Sequence, residues 1–94
     1  MTYKLRFHVL ALKEWRALDN SIREPLKKKL AERLDEPRVP AAALHGMPDC
    51  YKIKLHSVGY RLVYRVDDHA IYVTVIAAGK REINRVYSTA KTRL

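Results

Sequence analysis

Residues 51–66, YKIKLHSVGYRLVYRV, keep a two-residue alternation on both sides of a glycine-containing turn. Successive side chains of an extended strand point to opposite faces, so the pattern predicts a β-hairpin. The first arm sets Tyr51, Ile53 and Leu55 on one face and Lys52 and Lys54 on the other. The second sets Tyr60, Leu62, Tyr64 and Val66 against Arg61, Val63 and Arg65. With residues 56–59 as the turn, Leu55 faces Tyr60 and Lys54 faces Arg61, and burial of the apolar face pins that register. Like charges placed directly across strands destabilise a hairpin. Stability therefore does not explain a face with two lysines and two arginines, and an anionic ligand is expected there.

The other elements fall into order around the hairpin. Residues 3–7 alternate Tyr, Leu and Phe with Lys4 and Arg6 and form a short strand, expected at a sheet edge. The period becomes helical over residues 9–18, where Ala11, Leu12, Trp15 and Leu18 share a stripe and Lys13, Glu14 and Arg16 lie outside it. Ser21 and Glu24 have the spacing of a capping box that starts a second helix, with Pro25 tolerated in its first turn. Ile22, Leu26, Leu30 and Leu34 recur every fourth residue and turn Lys27, Lys28 and Lys29 outward. The plain reading of that lysine run is a solvated face, with contact to nucleic acid as the alternative.

Residues 38–50, with Pro40, Pro48 and Gly46, read as a long irregular connection, residues 41–44 included. After a polar turn at residues 67–69, the β-branched run of residues 71–78 predicts an inner strand ended by Gly79. Ile83, Val86, Tyr87, Ala90 and Leu94 then mark one side of a short, mobile terminal helix. The order β-α-α-β-β-β-α predicts one α+β domain over residues 1–94. In it a mostly antiparallel four-stranded sheet carries two helices packed on one face.

The 94 residues, 48% of them hydrophobic, suffice for one core and one site. Nineteen Lys and Arg against ten Asp and Glu give a formal charge of +9, the balance of a chain that meets phosphates or an acidic partner. The only cysteine, Cys50, has no partner for an internal disulfide, which fits a reducing cytoplasm, and it reads as a small packed residue. No apolar run approaches the ~18 residues of a membrane span, so no membrane association is expected. The histidines at positions 8, 45, 56 and 69 lack ligand spacing, and neither metal nor cofactor is expected.

A positive sheet face beside a tyrosine suits RNA, whose phosphates are neutralised while an exposed base stacks on the ring. Cleavage asks for more: a base for the ribose 2′-OH, cations for the crowded phosphorane, and a group for the leaving 5′-oxygen. A lysine at its reference value of about 10.4 is a poor base at neutral pH, but neighbouring cations disfavour its charged form. Arginine holds its proton firmly, so Arg61 and Arg81 suit electrostatic roles.

The segments LHGMPDCYKIKLHSVGYRLVYRV and GKREINRVYS, with ALKEWRAL and LKKKL in the helices, resemble the RelE toxin family. These are the ribosome-dependent mRNA interferases of bacterial toxin–antitoxin pairs. The resemblance implies a protein that enters the A site of the 70S ribosome and cuts the mRNA codon there by 2′-OH attack, leaving a 2′,3′-cyclic phosphate. It implies that Lys52 and Lys54 accept the proton or stabilise the phosphate, and that Arg61 stabilises the transition state. Arg81 then serves the leaving group, and Tyr87 stacks on a base of the codon.

His45 and His56 stand where relatives carry arginine, which weakens two phosphate contacts at neutral pH. Lys27, Lys28 and Arg65 complete the candidate RNA contacts. The resemblance also implies a RelB-like antitoxin, giving a monomeric toxin when free and a hetero-oligomer with its partner. The short terminal helix, carrying Tyr87, is the element such an antitoxin is expected to displace. Two alternatives stay open: a gyrase-inhibiting toxin of the same fold, and a non-catalytic RNA-binding or ribosome-binding module.

Overall fold

The computed structural model of the chain describes residues 2–55, 59–80 and 85–94. Along them run β1 (Lys4–Phe7), α1 (Val9–Ala17), α2 (Asn20–Asp35), a 3-10 turn at Pro40–Ala42, β2 (Cys50–Leu55), β3 (Tyr60–Asp67), β4 (Tyr72–Lys80) and α3 (Arg85–Thr92). The strands form one mixed sheet in the order β1-β4-β3-β2. β1 lies at an edge, parallel to β4, and the β2-β3-β4 meander is antiparallel. The expected α+β order and mostly antiparallel sheet are therefore present. No helix of the described residues is long and apolar enough to cross a membrane.

The hairpin has the register its alternation implies, with Leu55 opposite Tyr60 and Lys54 opposite Arg61. Gly59 closes it at φ 70°, a left-handed conformation that glycine adopts without steric cost, and its N–H donates to the Leu55 carbonyl at 3.0 Å. Three local expectations are corrected. The cap of α2 is Asp19, not Ser21: its carboxylate accepts from the Ser21 N–H at 3.2 Å and the Ser21 hydroxyl at 2.5 Å. A charged acceptor meets both the orphan N–H groups and the positive end of the helix dipole, and it outcompetes a hydroxyl placed two residues later. Residues 40–42 form a 3-10 turn inside the connection. Gly79 does not end the last strand; β4 runs on to Lys80 because pairing with β3 continues, Gly79 lying opposite Arg61. Cross-strand pairing thus outweighs the low strand propensity of glycine.

Each face of the sheet has its own core. On one, Ala11 of α1 and Ile22, Leu26 and Leu30 of α2 pack against Ile53, Leu62, Tyr64, Val73 and Val75. Trp15 anchors this layer from its margin, its ring 5.5 Å from that of Phe7. On the other, Val86 and Ala90 of α3 pack against Met47, Cys50, Val63, Ile76 and Ala77. A register shift between Val63 and Tyr64 supplies the extra residue: Val63 pairs with Ala77 and Tyr64 with Val75, leaving Ile76 as a bulge that points into this second core. The face expected to be cationic is thus partly covered by α3, although Leu94, expected on the helix's apolar side, stays 46% exposed.

Part of each side of the sheet is covered by groups from outside it. β1 ends at Phe7, and its last link to β4 is His8 N–H to the Val75 carbonyl at 2.8 Å. Past that point Arg93 donates to the Ile76 carbonyl at 2.9 Å and Glu14 accepts from the Ala78 N–H at 3.2 Å. The two pair with each other at 2.8 and 3.0 Å, replacing the missing strand and tying α3 to α1. At the opposite edge, the Leu44 N–H reaches the Cys50 carbonyl at 3.0 Å. Arg33 Nη1 then takes the Lys52 carbonyl at 3.1 Å and the Tyr64 hydroxyl oxygen at 2.8 Å.

Candidate active site

The site is built from two rows of residues running across three strands. Lys54 of β2, Arg61 of β3 and Gly79 of β4 lie in register, and Lys52, Val63 and Ala77 form the neighbouring row. Residues two apart in a strand share a face, so both lysines and Arg61 belong to the side of the sheet that α3 covers. Arg61 is only 8% exposed, and its Nη1 donates to the Tyr60 carbonyl at 3.2 Å. Among the described residues no carboxylate pairs with it. A desolvated guanidinium held by a carbonyl and left without a counter-charge is preorganised for an anion.

Gly79 leaves the space in front of this row. A Cβ there would stand 3.6 Å from Val86 Cγ2, in contact with α3 already, so a larger side chain would wedge the helix outward. Tyr87, the next residue of α3, is half-buried and packs at the margin of the second core. Lys80 ends β4 opposite Tyr60, with its ammonium 6.0 Å above that ring. Arg81 and His56 lie outside the described residues.

The remaining sequence candidates are dispersed. Lys27 lines an apolar groove with Leu5, Phe7 and Trp15 on the far flank of α2, and Lys28 is exposed. His45 is exposed beside Gly46 and Met47 in the connection before β2. Arg65 shares the sheet face of Arg61 but sits at the other end of β3, in a hollow with Asp49, Asp67 and Asp68. Two other cations stand closer: Lys29, which the sequence places only in the outward lysine run, and Arg33, which sequence reasoning passed over. Lys29 and Arg33 of α2 line one cleft with Lys52 and Lys54. Their i, i+4 spacing was the available signal, because it puts them on one helix face.

Among the described residues no cluster of His, Cys, Asp or Glu is placed to hold a metal ion. Burial pushes the Cys50 thiol above its usual value, so at neutral pH it is a packed thiol and not a nucleophile. On its described residues the site presents a buried guanidinium, two lysines on the same sheet face and, at the margin of the core on that face, Tyr87.

The family described as the ParE toxin of type II toxin-antitoxin system, parDE, matches residues 5–85. The mRNA interferase toxin RelE of Escherichia coli (strain K12) is 58% identical over 94 residues, covering 100% of this chain and 99% of that protein. A mutant of E. coli toxin RelE in the free state superposes with a TM-score of 0.92 at 57% identity, over 100% of this chain and 99% of that one. A chain of the intact E. coli RelBE toxin-antitoxin complex gives a TM-score of 0.83 at 60% identity, over 85% of this chain and 98% of that one.

Proposed function

The chain belongs to the RelE/ParE family of type II toxin–antitoxin systems, and from that membership we propose that it is the toxin of such a pair, an mRNA interferase working in the cytoplasm. It enters the A site of the 70S ribosome, cuts the codon there by attack of the ribose 2′-OH, leaves a 2′,3′-cyclic phosphate and so stops translation. A RelB-like antitoxin is its inhibitor.

The observation that carries this reading is the buried Arg61, in register with Lys54 and without a carboxylate partner among the described residues. Charge develops on the phosphorane as the 2′-oxygen attacks, and a fixed, desolvated cation stabilises that charge with no reorganisation. Lys52 or Lys54 accepts the 2′-proton while the other neutralises a phosphate oxygen. Arg81 stabilises the departing 5′-oxygen, and Tyr87 stacks on a base to hold the codon in line.

Primer extension on a defined message in programmed ribosomes with an empty A site tests the proposal. Wild type is expected to cut inside the A-site codon only when ribosomes are present, and Arg81→Ala to abolish the cut while still binding ribosomes. A folded wild-type chain that does not cut would sink the reading. Because the matched family carries the ParE description, a gyrase supercoiling assay belongs beside it. Inhibition there without mRNA cleavage would favour a gyrase-directed toxin.

A further inference from the structure

The outer edge of β2 opens onto a cleft of about 490 Å³ between that strand, the second half of α2 and the connection after it. Its polar wall holds Lys29, Arg33, Lys52 and Lys54, with Glu32 as the one lining carboxylate. On the helix side Lys29 and Arg33 are one turn apart, a rise of about 6 Å. On the strand side Lys52 and Lys54 are two residues apart, about 7 Å. Two rows of cations with similar spacing therefore face one groove.

Arg33 is the built part of this arrangement. Among the described residues its two hydrogen bonds both come from Nη1, to the Lys52 carbonyl and the Tyr64 hydroxyl oxygen. That anchors the guanidinium and leaves Nη2 and Nε to meet a ligand, since a guanidinium has five N–H donors. The side chain does not have to be ordered when an anion arrives, so little entropy is lost on binding.

We infer that this cleft binds the phosphates of the message on the 3′ side of the cut, with Lys29 and Arg33 as its added contacts. The inference rests on the endoribonuclease reading and extends it. Lys52 and Lys54 belong both to the cut-site rows and to this cleft, so a strand held at the first runs into the second. The message 5′ of the A site is paired to tRNA, which leaves the 3′ side as the free strand. Recognition here is of the sugar–phosphate backbone, because the four cations are the polar groups that dominate the lining and their natural partners are phosphates, the contacts that position a strand without reading its sequence.

The test is cleavage kinetics on programmed ribosomes carrying either a message that extends beyond the A-site codon or one that ends at its last nucleotide. Lys29 is exposed, so Lys29→Ala and Lys29→Glu leave the core untouched. Lys13→Ala, on α1, is the charge-matched control. On the long message Lys29→Ala is expected to raise KM by about threefold at unchanged kcat and to lower the salt slope of log KM by about 0.7, one single-strand phosphate contact. Lys29→Glu is expected to raise KM further. On the short message wild type, Lys29→Ala and Lys13→Ala have equal KM.

Equal losses on both messages would assign the phosphates to ribosomal RNA and overturn the inference. Unchanged KM together with weaker inhibition by a purified RelB-type antitoxin would give the groove to an acidic protein segment and overturn it as well. Absence of cutting by wild type would instead overturn the reading of function itself. Cutting with an unchanged KM in both Lys29 variants overturns this inference alone.

Discussion

Arg61 is a charge that the fold has already desolvated, with a backbone carbonyl as its neighbour and a glycine across the strand. Its removal is expected to lower single-turnover cleavage by about 10²–10³-fold in Arg61→Ala, the range for loss of one preorganised electrostatic donor. Ribosome affinity, measured by sedimentation, is expected to fall far less. A second residue-scale prediction concerns Asp68, whose carboxyl is held below its usual value first by the Tyr3 hydroxyl at 2.5 Å and then by Arg38 at 2.6 and 3.1 Å. A carboxyl depressed in the folded state contributes stability above its unfolded value of about 3.9, and that contribution disappears as pH falls through the folded value. Asp68→Asn is therefore expected to melt below wild type at neutral pH, and the two melting temperatures to converge in acid, below about pH 4. Lys52, Lys54 and Arg61 were legible from alternation alone, since a face of like charges has no structural reason. The burial of Arg61 was not, because the covering helix comes from elsewhere in the chain.

At the scale of elements, α3 has eight residues, too few to be stable alone in water. It stays docked through Val86, Ala90 and the Arg93–Glu14 pair that caps the free edge of β4. Arg93→Ala leaves the Ile76 carbonyl and the Glu14 carboxylate without these bonds. It is expected to cost about 2 kcal/mol in chemical denaturation, with faster amide exchange concentrated in residues 86–92. The antitoxin is expected to displace this helix, so protection of the same amides should fall on antitoxin binding, and unchanged protection would rule that route out. Helix stripes and strand alternation named every long element, because burial acts with the period of the backbone. Boundaries were less legible. Asp19 competes with Ser21 for one cap, and Gly79 is kept in β4 by a partner strand that local sequence does not contain.

Across the whole molecule, the layers are joined at a few polar points. Tyr64, fully buried, donates to the Pro37 carbonyl at 2.7 Å and accepts from Arg33, joining β3, the end of α2 and β2. Tyr64→Phe removes both links while keeping the ring, and is expected to destabilise the fold by about 1–3 kcal/mol through the unsatisfied carbonyl. It should also raise KM on long messages, because Arg33 loses one of its two anchoring bonds. Sequence by itself determined the α+β class, the hairpin register, the sheet face that carries the cations and the family, since each rests on local periodicity or on residue identity at fixed spacing. Only the tertiary structure decided that α3 partly covers that face, that Arg93 and Glu14 stand in for a strand, and that Lys29, not Lys27 or Lys28, faces the site. Those outcomes depend on which elements pack together. The free energy of packing is shared among residues far apart in the chain, where no local pattern records it.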